Sequence, residues 1–303
     1  MRVVPLIPLC VVALAVSIEG QSKDPARGAA LLAEARTALG GAERLRGVRT
    51  LDVRGDFKRL AGPTTIEGEL QIRVELPDKL RRDEDLSLPG GGPAIIRTEV
   101  LNGSTVWDEA PAGGGRMFIG RGGRFGGGGG GRGDGQAAGR GQIDPAQLEE
   151  AQRRARQTEL ARFLLMWLLA TDGEVAWIGT AEAPDGKADV LEIMPAAGPA
   201  LRLFLDAASH MPLMITWQSV APQLVIAGRR GGRGDGGDAP PAGGRGRGGA
   251  PATLQVTLGE YKAVNGIKLP HLITRGANDM TIEEWTIDSY RLNPSFRAEV
   301  FVK

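Results

Sequence analysis

Residues 254–270 read Leu254-Gln-Val256-Thr-Leu258-Gly-Glu-Tyr261-Lys-Ala-Val264-Asn265-Gly266-Ile267-Lys-Leu269-Pro270, followed by Thr281-Ile-Glu-Glu-Trp285-Thr-Ile287. Leu254, Val256 and Leu258 alternate with Gln and Thr, the period-two pattern of a strand with one face buried. Asn265-Gly266 tolerates the positive φ angles of a two-residue hairpin. The chain therefore closes as an antiparallel meander with one apolar face. What that face covers, a closed core or a cavity, bears directly on function.

The same pattern recurs upstream. Leu51, Val53, Gly55 and Phe57 share a face opposite Asp52, Arg54, Asp56 and Lys58. After the Gly62-Pro63 turn, Ile66, Leu70, Ile72, Val74 and Leu76 alternate with Glu67, Glu69, Gln71, Arg73 and Glu75. Further strands are predicted near 79–88, 95–101, 105–109, 175–179, 190–194, 201–205 and 213–220. Two helices interrupt them. Asp24-Pro25 is a helix start, with Asp as N-cap and Pro in the first turn. Leu31, Leu32, Ala35 and Leu39 make its apolar face, and Gly40-Gly41 ends it. Asp144-Pro145 repeats the device, with Gln147 placed as in a capping box. This second helix is charged in its first half (Glu149, Glu150, Arg153, Arg154, Arg156). It is apolar on nearly every side over 160–170, too short a run to span a bilayer but suited to burial all round. The order helix, strands, helix, strands predicts an α+β fold: one large antiparallel sheet covered by two helices.

Two tracts, 113–141 and 228–250, hold 27 of the 46 glycines and ten of the 37 basic residues. Such composition cannot offset the entropy of ordering, so both are expected to be disordered insertions. The tracts carry about +4 and +3 of a net charge of +1, leaving the remainder mildly acidic. A nucleic-acid-binding core has the opposite sign, and an RNA-binding reading of the Arg-Gly-Gly runs is set aside. Gly244-Arg-Gly246-Arg-Gly-Gly249 matches GxGxxG in letters but neither follows a strand nor opens a helix. Residues 1–20 read as a secretory signal: Arg2, an apolar run over 3–16, and small residues at Ala13 and Ala15. The one cysteine, Cys10, would leave with it, so no disulfide or cysteine nucleophile is expected.

His210 and His271, the two histidines, have neither the company nor the spacing of a metal or triad site. Acidic residues alternate along strands and read as solvated faces. The five tryptophans, 107, 167, 177, 217 and 285, fall in or beside regular elements, where indoles suit cores and apolar pockets alike. No cofactor is called for and no enzymatic constellation is visible.

Several segments together carry a family likeness: Ala38-Leu39-Gly40-Gly41-Ala42-Glu43, Val48-Arg-Thr-Leu51-Asp-Val-Arg-Gly55, Pro77-Asp-Lys79, Gly103-Ser-Thr-Val-Trp107, Leu203-Phe-Leu-Asp206 with Met211-Pro212, Tyr261 to Pro270, and Asp288-Ser-Tyr290-Arg-Leu-Asn293 with Phe296. In these the chain resembles the LolA-like group of periplasmic lipoprotein-carrier and lipid-binding proteins, broadly including LolB-like and RseB-like domains. The resemblance implies one domain over 21–303, an incompletely closed β-barrel wrapped around lid helices, and a concave face that binds lipid or lipoprotein acyl chains. On that reading Leu51, Val53, Phe57, Leu70, Ile72, Val74, Trp107 and Trp217 line the concave face. Phe163, Leu164, Met166 and Trp167 form the lid. The expected setting is the periplasm, as a monomer, with inner- and outer-membrane donor and acceptor proteins and no nucleic acid. The alternative is a non-carrier interaction module of the same fold, for envelope-stress sensing or assembly. Burial of a long acyl chain at about 0.8 kcal/mol per CH₂ would supply the affinity without a nucleotide.

Overall fold

A computed structural model describes residues 22–61, 64–87, 95–109, 119–120, 145–169, 173–183, 186–195, 198–220, 223–224 and 251–303. The leader at 1–20 and the two Gly/Arg tracts lie outside the described residues, apart from Ile119-Gly120, which pairs with Gln223-Leu224.

Asp24 caps α1 (Pro25–Ala38) by accepting a hydrogen bond from the Arg27 amide at 2.9 Å, with Pro25 opening the helix as expected. Gly40 and Gly41 take positive φ and end it. A short helix, α2 (Ala42–Arg46), follows where the period-two signal has not yet begun. Then come β1 (Thr50–Ala61), β2 (Thr64–Glu75), β3 (Lys79–Ser87), β4 (Ile95–Asn102) and β5 (Thr105–Glu109). After α3 (Pro145–Met166) come β6 (Gly173–Ala183), β7 (Gly186–Pro195), β8 (Leu201–Asp206) and β9 (Pro212–Val220). The chain ends with β10 (Pro251–Val264), β11 (Ile267–Ala277), β12 (Met280–Leu292) and a 3₁₀ turn at Ala298–Phe301.

All twelve strands form one antiparallel sheet in the order β5-β4-β3-β2-β1-β12-β11-β10-β9-β8-β7-β6. Every strand pairs with its neighbour in sequence except β5 with β6, and the first and last strands pair with each other. The chain ends therefore meet inside the sheet, and the open seam falls in mid-chain. The segment that crosses the seam carries α3. This is an incompletely closed barrel with covering helices, as the resemblance implies, built on the large antiparallel sheet that the patterning predicts. Asn265 and Gly266 adopt φ of 50° and 81°, both positive as in the expected hairpin turn.

The strand registers stack one apolar face. Leu51, Val53, Gly55, Phe57 and Arg59 lie across from Val74, Ile72, Leu70, Gly68 and Ile66 on β2. Phe57 lies across from Trp285, and Arg59 from Glu283, on β12. This concave face, α1 and the C-terminal half of α3 share one continuous core. α1 also guards an edge. Asp24 pairs its backbone with Trp177 of edge strand β6 at 2.9 Å in both directions. At Gly28 an added Cβ would lie 2.7 Å from the Trp177 amide nitrogen, so that approach needs glycine. Such a cap withdraws an open edge from pairing with other chains. On the convex side the 3₁₀ turn lies against β3, where Arg81 donates to the Val300 carbonyl at 2.9 Å.

Candidate functional site

The concave face is filled from the seam. Leu160 and the run Phe163 to Leu168 are all buried, and Trp167 and Leu168 are fully enclosed. Phe163 stacks on Trp167 with ring centres 5.8 Å apart and planes at 13°, and it also meets Trp285 at 5.8 Å. Trp167 stands edge-on to Tyr290 at 6.4 Å. The helix ends at Met166, and Leu168 takes a left-handed φ of 48°. That turn lets Leu168 stay within the core beyond the helix end. A helix greasy on every side is accounted for: it is surrounded by sheet.

Of the residues expected on the concave face, Leu51, Val53, Phe57, Leu70, Ile72 and Val74 belong to the core shared with α3 and are at most 2% exposed. Trp217 joins them on β9, with the Arg162 guanidinium 4.2 Å from its ring centre. Trp107 does not. The two-residue turn at Gly103-Ser104 sets Leu101 opposite Val106 and Val100 opposite Trp107. Val106 packs against the main core, so the alternation turns Trp107 outward. It lies on the convex face, 5.9 Å from the Arg81 guanidinium. The lid residues Phe163, Leu164 and Met166 lie on the buried part of α3, and Trp167, also buried, directly follows its end.

Above this apolar floor runs a belt of charge that sequence reading places elsewhere. Arg59, Arg82, Glu84, Glu159 and Glu283 are all buried. Arg59 donates to Glu84 at 2.8 Å and to Glu283 at 2.6 Å. Arg82 pairs with Glu84, with Glu283 at 3.3 Å and with Glu159 of α3 at 3.4 Å. Arg275 closes the row on Glu283 at 3.0 Å. The reading of strand carboxylates as solvated is corrected for Asp52, Glu84, Glu99, Asp189 and Glu283, which are all buried. A faint signal existed: Arg59 is two residues past Phe57, and Glu283 two before Trp285, so alternation aims both inward. Hydropathy concealed them, because charged residues are seldom fully buried unless paired, and the partners come from strands far apart in sequence.

The belt also fastens α3. Arg156 donates to Glu99 at 2.5 Å, to Glu159 at 3.2 Å and to Asp108 at 2.8 Å. Burial alone would raise the Glu84 carboxyl, but Arg82 and Arg59 beside it pull it down to about 2. Burial opposes ionisation of Glu283 in the same way, and Arg275, Arg82 and Arg59 overcome it and lower its pKa. Both folded-state values lie below the unfolded ones. The stability the pair contributes is therefore complete above the ordinary glutamate range and is lost as pH falls through it toward about 2. Equilibrium denaturation between pH 7 and pH 2 should show a steep loss below about pH 4.5. In Glu84→Gln that loss should be visibly shallower; an unchanged slope would assign acid sensitivity to other carboxylates.

Between α3 and β9–β12 lies a crevice of about 20 Å³, room for a single water. Glu159, Arg162 and Arg275 form its polar side; Phe163, Met166, Trp217, Val256 and Trp285 form its apolar side. His271 is buried, its Nδ1 2.6 Å from the Ile287 carbonyl oxygen, and edge-on to Tyr290. His210 sits in the β8–β9 turn with φ of 56°. Among the described residues no group of His, Cys, Asp or Glu is placed to hold a metal ion. No described helix is long and apolar enough to cross a membrane.

No family model matches the chain, and no curated protein matches it either. Solved structures do. A putative outer membrane lipoprotein-sorting protein domain from Vibrio parahaemolyticus is 11% identical, with 92% of this chain and 97% of that one covered and a TM-score of 0.45. A LolA superfamily protein from Nitrosomonas europaea is 12% identical, covering 89% and 97%, with a TM-score of 0.44. A DUF1329 family protein from Desulfovibrio piger is 8% identical, covering 92% and 97%, with a TM-score of 0.42.

Proposed function

We propose that this protein binds the acyl chains of a lipid or lipoprotein on the concave face of its open barrel, with α3 as the displaceable lid. The supporting observation is the manner of filling. The most buried part of the concave face is occupied by a helix borne on the one segment that crosses the open seam. Its sheet-side partners are aliphatic and aromatic side chains with no geometric demand on what replaces them. An acyl chain could take the place of Phe163, Met166 and Trp167 against the aliphatic and aromatic side chains of the floor. With the apolar leader as an export signal, the protein would work in the periplasm, taking its cargo from one membrane partner and yielding it to another. No chemical step is asked of the site, only differential affinity.

The test uses the indoles already at the interface. Trp167, Trp217 and Trp285 lie where the chain would go. Titration with a bromine-labelled fatty acid should quench most of the buried tryptophan fluorescence. Mass spectrometry of organic extracts from detergent-free protein should find co-purified lipid. A protein that extracts empty and shows no quenching does not carry acyl chains.

A further inference from the structure

We infer that the Trp217 Nε1–H receives a neutral carbonyl oxygen of the ligand, that of the ester or amide joining an acyl chain to its head, and so makes the site select acyl esters or amides over free acids. The inference rests on the acyl-chain reading and narrows the class of ligand.

Three tryptophans borne by the sheet belong to the core that α3 fills: Trp177, Trp217 and Trp285. A buried indole gives up its water and needs an acceptor in exchange. Trp177 has one, donating to the Asp189 carboxylate at 2.8 Å. Trp285 makes no well-formed hydrogen bond, but the Glu283 carboxylate stands beside it; burial opposes the ionisation of that group, and Arg275, Arg82, Arg59 and this indole favour it. Trp217 is 5% exposed, and its Nε1–H has no hydrogen-bond partner among the described residues. It borders the crevice between α3 and β9–β12, where Glu159 and Arg275 meet the apolar Phe163 and Trp285. The space there, about 20 Å³, accepts one oxygen atom with its hydrogens. A carbonyl oxygen at the end of a hydrocarbon chain satisfies the donor and leaves the chain to replace Phe163 and Trp167. The charges of the wall fit a neutral group. Lifting α3 takes Arg156, Arg162 and Glu159 with it. Arg59, Arg82, Arg97 and Arg275 then stand on the sheet with Glu84, Glu99, Asp108 and Glu283, and the two signs balance. A carboxylate or phosphate would enter this wall as an unpaired charge, which is costly out of water. A carbonyl brings an acceptor and no charge.

The experiment is displacement of the neutral dye N-phenyl-1-naphthylamine from the full chain by four ligands of closely matched length: methyl decanoate, N-methyldecanamide, 1-fluorododecane and decanoate. Methyl decanoate, N-methyldecanamide or both should displace the dye at concentrations about threefold to tenfold below 1-fluorododecane, the discrimination that one hydrogen bond gives, and below decanoate. The stronger of the two identifies the linkage. Trp217→Phe should bring the carbonyl ligands level with 1-fluorododecane. The comparison is between ligands on one protein, so looser seating of α3 in the variant cancels. Nitrogen-15 NMR gives a second readout. The Trp217 indole N–H proton, assigned by its absence from the Trp217→Phe spectrum, should move downfield with methyl decanoate and not with 1-fluorododecane. Equal displacement by the carbonyl ligands and 1-fluorododecane in the parent protein overturns the inference while supporting acyl binding. Stronger displacement by decanoate overturns the neutral head. A carbonyl advantage that survives in Trp217→Phe, or an indole proton that does not move, overturns the role of Trp217. Displacement by none overturns both this inference and the acyl-chain reading.

Discussion

Arg82→Ala is expected to cost the folded protein about 3–5 kcal/mol, the usual penalty for removing one partner from a buried ionic network. The side chain is enclosed and sits between Glu84, Glu159 and Glu283. Without it four buried carboxylates, Glu84, Glu99, Glu159 and Glu283, share Arg59, Arg156 and Arg275. The nearest remedy is protonation, so the variant's loss should be largest near neutral pH and shrink as the carboxyls take up protons. Concerted replacement should behave differently. Arg82→Met combined with Glu84→Leu leaves Arg59, Arg156 and Arg275 with Glu99, Glu159 and Glu283, which balance. That pair of changes should lose less than half as much, because apolar groups of similar volume replace an ion pair nearly without cost. Urea denaturation of the three proteins measures both quantities. A single-variant loss under about 1 kcal/mol would mean that water screens the belt, as at a surface pair.

Trp167→Ala comes second, with an expected loss of about 3–5 kcal/mol from lost burial and the cavity left behind. Its indole has no exposed surface and packs against both Phe163 and Tyr290. The site of that cavity makes the variant informative about function. It opens at the contact between α3 and the concave face, so the seated helix is weakened relative to any state in which it has lifted. Uptake of N-phenyl-1-naphthylamine should therefore rise while the denaturation midpoint falls. A Phe204→Ala control removes an equally buried ring from the convex-side cluster. It should lower stability without raising uptake. If both variants take up the dye alike, α3 has no special role as a lid.

The strands were legible because alternation is a local signal: each places its apolar residues on one face by parity alone. The hairpin at Asn265-Gly266 and the helix start at Asp24-Pro25 were legible for the same reason, since φ preference and capping depend on one or two side chains. α2 was hidden because five residues carry no helical period. Trp107 was misplaced because a strand's parity shows which residues share a face but not which face is concave; the turn at Gly103-Ser104 decided that. The charged belt was the largest omission. Single residues such as Arg59 and Glu283 look like surface charges until the registers of β1, β3 and β12 bring them together.

By itself, then, the sequence determined the element types, the large antiparallel sheet, the burial of the apolar end of α3 and the apolar identity of most of the concave face. These follow from periodicities of two and 3.6 and from local turn and cap chemistry. Only the tertiary structure decided where the barrel opens, that the helix crossing the seam fills it, and that arginines and glutamates from β1, β3, β11, β12 and α3 meet out of water. Those facts depend on strand order and on pairings between residues as distant as Arg59 and Glu283, and a charge's environment is set by its neighbours in space.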